Sequence, residues 1–420
     1  MGEGLAAHFN IVLMFGIILI AGYIAGRVAN FFRLPKVTGY IAAGVLLEPS
    51  FLGLLPEHFI NNSTIISNFA LCVITYAIGG SLNFSRIRKL GNTIWIMTIF
   101  ESVITFLLIS AGLFLALPVL GRFLGVNIQP AFYLPLAILA GSLGAPTDPT
   151  PTLAVKEEYK ADGPVTTTIL GIGAFDDAMG IIIFSIAIAV GAAVLGGAGA
   201  SAASTIAKPL AGIFFSLVNG AIFALILLFA ARKVQDKGVL VVMIFGALFS
   251  CFGVAQMLKL DELLSTMTLG CVIVNLAKDE EKFFISIRDY FEEMIFLIFF
   301  VVAGAHLQLN VLKSALWIVI VFVILRVLGK IFGAFIGAVI SGAQAKVKKY
   351  TAFGLIPQGG IVVGLALLVK QNEVFSPISP ILLNTILGTT VLFEFIGPLF
   401  TEVALKRSDE IGKEQTPAVK

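Results

Sequence analysis

The run Ile169-Leu170-Gly171-Ile172-Gly173-Ala174-Phe175-Asp176-Asp177-Ala178-Met179 sits inside an apolar stretch that extends from Gly163 to Val194. About 20 apolar residues are enough for a helix to cross a bilayer, and this stretch is longer than that. Two adjacent carboxylates near its middle are costly: a charged side chain at the bilayer centre is disfavoured by roughly 2.5 to 17 kcal/mol, depending on how much water and opposite charge reach it. A pair so placed marks an ion or proton site inside a membrane protein. The plainer alternative is that the aspartates only pin helices together.

Composition assigns the whole chain to the same environment. Of 420 residues, 58% are hydrophobic and 13% charged, and the mean hydropathy is +1.01; soluble domains carry about 25% charged residues. That much apolar surface cannot be hidden in a water-soluble core. Thirteen segments read as transmembrane helices, near 10–30, 36–55, 63–82, 91–119, 130–156, 163–194, 205–232, 237–256, 261–277, 283–308, 312–341, 349–370 and 379–405. Cytoplasmic loops of such proteins are enriched in lysine and arginine. The tail and the loops after the odd-numbered segments hold 21 of the 28 basic residues, against Arg122, Lys208, Lys259, Lys313 and Lys370 in the opposite loops. The asymmetry predicts a multi-pass protein of the cell (inner) membrane with its N-terminus outside and its C-terminus in the cytoplasm. It also explains the net charge of +3 without a nucleic-acid footprint.

The first apolar run lacks a basic start, so a retained helix is expected in place of a cleaved signal. Cys72, Cys251 and Cys271, like His8, His58 and His306, show no disulfide or metal spacing, and no cofactor is expected. The whole chain, 1–420, reads as one membrane domain, with 406–420 as a disordered cytoplasmic tail.

In the fifth segment, Gly141-Ser142-Leu143-Gly144-Ala145-Pro146-Thr147-Asp148-Pro149-Thr150-Pro151-Thr152 carries three prolines. A proline has no N–H for the carbonyl four residues back, so Pro146, Pro149 and Pro151 free the carbonyls of Ser142, Ala145 and Thr147. The helix breaks here. Unpaired backbone is tolerated in hydrocarbon only where protein buries it or a wet cavity reaches it, which makes the break a polar site. Asp148-Pro149 reads as the N-cap and first turn of a second half-helix. An external loop between two short helices is the competing reading, but flanking apolar stretches of about 15 and 8 residues are too short to span separately.

Six segments, a linker at 205–232 and six more place the second half (237–405) upside down relative to the first, whose core helices lie within 36–194. The twelfth segment (349–370) then matches the fifth (130–156), and it contains Gly354-Leu355-Ile356-Pro357-Gln358-Gly359-Gly360, where Pro357 frees the carbonyl of Phe353. Interrupted helices in corresponding positions of two inverted repeats point to a site where they cross at the midplane. On the charged segment 312–341, Arg326 and Lys330 are four apart and share a helix face. Carboxylates must meet them, and the candidates are Asp176, Glu101 and Glu394. Successive helical residues point about 100° apart, so Asp176 and Asp177 cannot share a partner. The expectation is that Asp176 pairs with Lys330, Asp177 faces a water-filled cavity as the cation ligand, and Arg326 forms a structural pair with Glu394 or Glu101.

Ala145-Pro146-Thr147-Asp148-Pro149, Phe175-Asp176-Asp177 and Arg326-Val327-Leu328-Gly329-Lys330 resemble the motifs of the monovalent cation:proton antiporters, specifically the electrogenic bacterial sodium/proton antiporters with a double-aspartate helix. The resemblance covers about residues 10–405. It implies a homodimer in which a core domain, built on two crossing broken helices, moves against a dimerisation domain in elevator-like alternating access. It also implies that Asp177 binds sodium and that Asp176 exchanges its partner Lys330 for a proton or cation contact. Thr147 and Asp148 would shape the crossing, and Thr147 joins the two aspartates as a candidate cation ligand. Asp176 is the residue that implies net charge movement. Gly359-Gly360-Ile361, where some relatives carry an acid, and Glu48, where a glycine is common, depart from the pattern.

Sodium is a hard cation and suits the carboxylate and freed carbonyl oxygens that these motifs supply. The expected function is therefore sodium/proton antiport, with membrane lipid and monovalent cations as the partners. Potassium/proton antiport, a sodium-coupled solute symporter and a channel are the alternatives. An intramembrane aspartyl protease would need its two carboxylates on separate helices, and an enzyme is not expected.

Overall fold

The computed structural model describes residues 9–32, 36–49, 51–85, 91–124, 128–148, 152, 155–156, 160–195, 202–279, 281–307, 311 and 315–411. These residues form helices and connecting turns, with a single isolated antiparallel bridge between Thr147 and Gln358. In chain order the helices are α1 (Ile11–Phe31), α2 (Lys36–Leu47), α3 (Glu57–Asn61), α4 (Thr64–Ser81), α5 (Asn92–Leu124), α6 (Tyr133–Gly144), α7 (Pro164–Leu195) and α8 (Ala202–Ala230). There follow α9 (Lys237–Met257), α10 (Glu262–Leu276), α11 (Glu281–Tyr290), α12 (Glu292–Ala305), α13 (Leu316–Ile340), α14 (Ala345–Gly354), α15 (Ile361–Gln371) and α16 (Ser379–Arg407). Seven are long and apolar enough to cross a membrane, and the bent α16 makes an eighth.

Several expected segments resolve differently in detail. In the second, α2 stops at Leu47 and turns follow, with Gly53 at φ +62°. The tenth is two helices divided at Phe291: Glu281–Tyr290 is amphipathic, while Glu292–Ala305 is apolar after its first turn. Of the fifth, α6 ends at Gly144, and much of the second half-helix lies outside the described residues. Of the expected disordered tail, residues 406–411 are ordered, and 412–420 lie outside the described residues. Lys406 and Arg407 complete α16, and Ser408–Glu410 fold back: Glu410 accepts from the N–H groups of Val165 and Thr166 (both 2.8 Å) and from Thr166 Oγ1 (2.7 Å). A carboxylate on the otherwise unpaired N–H groups of a helix start is the favoured sign for the helix dipole, so this end of α16 is tied to the start of α7.

The packing that matters most for function is α13 on α5. Small residues let membrane helices approach backbone to backbone, and Gly329, Gly333 and Gly337 recur every four residues along one face of α13. A Cβ built on each would press the backbone of Thr105, Glu101 and Met97 in turn, 2.7 to 2.8 Å away. This contact brings Lys330, next to Gly329, onto Glu101 of α5.

Candidate functional site

The two breaks meet. After α6 the chain runs extended through Pro146, Thr147 and Asp148; after α14 it does the same through Pro357, Gln358 and Gly359. The two strips lie antiparallel, with Asp148 N–H donating to Pro357 O (3.3 Å) and Gly359 N–H to Pro146 O (3.2 Å). A pair of helix ends in an apolar interior leaves more carbonyls than N–H groups to satisfy them, and Arg326 supplies the missing donors. Its Nε donates to Gly144 O (3.0 Å), its Nη1 to Ile356 O (2.5 Å), and its Nη2 to Pro146 O (3.0 Å) and Pro357 O (3.1 Å). The guanidinium also lies over the Phe393 ring, 4.5 Å from its centroid. The expected ion pair of Arg326 with Glu394 or Glu101 is therefore replaced. Its partners are carbonyl dipoles from both breaks, which carry partial negative charge without any acidic side chain.

Lys330, one turn further along α13, holds the first acidic group. Its Nζ meets Glu101 Oε1, Asp176 Oδ2 (3.2 Å), Thr147 Oγ1 (2.7 Å) and the Ala145 carbonyl that Pro149 was expected to free. Ser102 Oγ donates to Asp176 Oδ1 (2.6 Å). Thr147 Oγ1, which accepts from Lys330, donates to Leu355 O (3.4 Å). Asp176, Glu101, Lys330 and Thr147 are all at 0% exposure. The expected pairing of Asp176 with Lys330 is present as a contact, and Glu101 shares the same ammonium. Ser102 was not singled out from sequence; its position beside Glu101 was the available signal.

Asp177 points elsewhere. It is only partly buried, and the charges acting on it are Asp148 and Asp176, both like in sign, with Lys330 opposing. Its Oδ1 is buried without a hydrogen-bond donor among the described residues. That oxygen lies against the second break: a Cβ built on Gly359 would sit 2.9 Å from it, so the glycine leaves the space the carboxylate uses. One turn on, Gly180 lets α7 close onto Pro146 of the first break. Asp148 is 8% exposed and lies near Glu394 on α16. The structure thus brings Asp177 to the crossing beside Asp148 and Pro146, while Thr147 turns its hydroxyl toward Lys330.

The acidic doublet thus lies on a helix laid across two crossed breaks, backed by an arginine and a lysine, and places carboxylate and carbonyl oxygens of the kind hard cations prefer close together. The profile described as "Sodium/hydrogen exchanger, transmembrane" matches residues 15–407. The chain belongs to that family. Among its relatives are the K(+)/H(+) antiporter subunit KhtU of Bacillus subtilis, 24% identical over 94% of this chain and 93% of that protein, and the high-affinity Na(+)/H(+) antiporter NhaS3 of Synechocystis, 23% identical over 84% and 81%. The Na(+)/H(+) antiporter of Enterococcus hirae is 22% identical over 91% and 97%. The fold resembles that of the sodium proton antiporter MjNhaP1 from Methanocaldococcus jannaschii, with a TM-score of 0.75 at 17% identity over 98% of this chain and all of that one.

Proposed function

We propose that this protein exchanges sodium for protons across the cell membrane, with Asp177 as the shared ligand of both ions. The observation that carries the reading is the contrast at the doublet. Asp176 is saturated by Lys330 and Ser102, whereas Asp177 is only partly buried, has no donor on Oδ1 among the described residues, and sits where two broken helices cross. A carboxylate left without a donor beside a like-charged neighbour is stabilised by whatever positive species arrives, a proton or an alkali cation. Antiport follows if the site crosses only when one of them is bound. Family and fold are those of a transporter, which supports a non-enzymatic role.

The finer architecture belongs to the same proposal: thirteen spans, two inverted repeats, an N-terminus outside and a homodimer that works as an elevator. Glycine contacts support the repeats. Gly44 and Gly304 carry α2 onto α12, each against the other helix's backbone, and Gly79 and Gly270 do the same for α4 and α10. In the thirteen-segment scheme these are second with tenth and third with ninth, pairs that a two-fold relation between the halves would exchange.

In vesicles loaded with a pH-sensitive dye, sodium should release dye quenching, and an imposed membrane potential should change the rate, because more than one proton moves per cation. Failure of sodium, lithium and potassium alike to move protons would overturn the proposal. Indifference to potential would overturn its electrogenic part. Potassium is the second reading, favoured by the 24% identity to a potassium/proton antiporter subunit; the cation with the lowest half-maximal concentration decides.

A further inference from the structure

The second break leads into α15, which meets its neighbours differently from other close-packed helices. Gly44 with Gly304 and Gly79 with Gly270 press α2 on α12 and α4 on α10 backbone to backbone. Gly360 and Gly364 face side chains instead, those of Phe300 and Phe299 on α12 and of Leu71 on α4. Apolar contact is non-directional, so this seam seats α15 without fixing how far along α12 it stands. A polar tie fixes it at the far end. Lys370 Nζ lies 2.8 Å from Nδ1 of His306, the residue after α12, and His306 Nε2 lies 3.3 Å from Oγ of Ser63, the residue before α4. Ser63 gives its one hydroxyl proton to Ile60 O (2.6 Å). It therefore accepts from Nε2–H, which leaves Nδ1 as the lone pair that takes the ammonium. A lysine holds its proton to about pH 10.4 and an imidazole only to about 6.5, so the charge of the pair rests on Lys370. Among the described residues Lys370 is the charged group acting on the ring; Glu48, Glu57 and His58 before α4 and Glu373 after α15 form no hydrogen bond or ion pair with it.

Building on the antiport reading, we propose that His306 is a positioning residue: its neutral ring holds Lys370 and so fixes the seat of the second broken helix on α4 and α12. The seat matters at the ion site because α15 is one helix of 11 residues that starts directly after Gly360, and Gly359 lies against Asp177 Oδ1. A proton on Nδ1 replaces the lone pair by an N–H aimed at an ammonium 2.8 Å away. The tie then becomes a repulsion between like charges, and α15 is released. The tied form excludes the proton and the released form accepts it. The ratio of released to tied protein is therefore level above about pH 6.5, where a free imidazole is neutral, and rises about tenfold for each unit below.

The chain has only three histidines, so nitrogen NMR of histidine-labelled full-length protein reads the ring directly, with His306→Gln identifying its signals. At about pH 7.5 the wild-type ring should be neutral with its hydrogen on Nε2; a ring protonated on Nδ1 overturns the tie. Release is read by spin labels on Glu57→Cys of α3 and Gln371→Cys at the end of α15, both exposed positions, in protein lacking Cys72, Cys251 and Cys271. Between about pH 7.5 and 5.5 the population at the displaced distance should gain about tenfold on the other in the otherwise unaltered protein. Adding His306→Gln, which keeps an acceptor and a donor but does not titrate, should abolish the gain. A distance distribution that ignores pH, or a Gln variant that follows the parent, overturns the proposal. In vesicles, the pH profiles of sodium/proton exchange by wild type and His306→Gln should coincide above about pH 6.5 and part below it; profiles that coincide throughout remove His306 from transport. Wild-type vesicles that exchange no cation for protons would instead sink the antiport reading and leave the NMR and distance results standing.

Discussion

Asp176 and Asp177 are neighbours in sequence and opposites in circumstance. Asp176 faces α5 and α13, where Lys330 and Ser102 take its oxygens and Glu101 shares the lysine; Asp177 faces the breaks, where Asp148 and Asp176 act on it as like charges against Lys330. On the proposed reading, one carboxylate is part of the framework and the other is left for a mobile ion. The turn of about 100° between successive helical residues is what allows a single dipeptide to do both. Helix geometry thus separates the carboxylate that is tied to Lys330 and Ser102 from the one that we propose exchanges ions.

The sharpest way to break this contrast is to neutralise each aspartate in turn. Asp177→Asn keeps shape and removes the exchangeable charge. Sodium-dependent proton movement in vesicles should fall more than about a hundredfold, while thermal stability without sodium stays near wild type. Normal exchange by this variant would remove Asp177 from the centre of the mechanism.

Next in size is Lys330→Met, which strands Glu101 and Asp176 without a counter-charge. Breaking a buried pair by deleting one partner costs about 3 to 5 kcal/mol. That loss should appear as a lowered unfolding temperature in detergent, and a variant as stable as wild type would show that the ammonium is not the framework's centre. Sodium itself sharpens the comparison. A ligand at about a hundred times its dissociation constant stabilises its protein by about 2.7 kcal/mol, so sodium should protect wild type and Lys330→Met against heat but leave Asp177→Asn unmoved.

The parts of this design that sequence revealed are those set by a missing group. Pro146 and Pro357 lack an N–H, so breaks after α6 and α14 followed directly, and the position of Asp176-Asp177 in a long apolar run marked the helix that crosses them. The role of Arg326 was hidden for a related reason. A charge in a sequence suggests an opposite charge, but its true partners are the main-chain carbonyls of Gly144, Pro146, Ile356 and Pro357, which are brought together only by folding. The glycine spacing on α13 was visible as Gly329, Gly333 and Gly337, yet the helix it packs against could not be read from the spacing. The clasp of Glu410 on α7 was hidden because a polar stretch after a last helix looks the same whether it is solvated or bound.

The smallest effect expected tests the framework from its least obvious member. Ser102 donates its only hydroxyl proton to Asp176 Oδ1 at 2.6 Å, although Glu101 Oε2 is also near, at 3.3 Å. The shorter contact identifies Asp176 as the acceptor. Ser102→Ala removes that donor and leaves Lys330 in place, so Asp176 keeps its ion pair but loses one charge-assisted hydrogen bond, a change of about 2 kcal/mol. Stability should fall by that amount while sodium still protects the protein, because Asp177 and both breaks are untouched. If sodium protection disappeared instead, the two aspartates would be coupled through Asp176's hydrogen bonding, and the division between a fixed and an exchangeable carboxylate would have to be redrawn as one shared site.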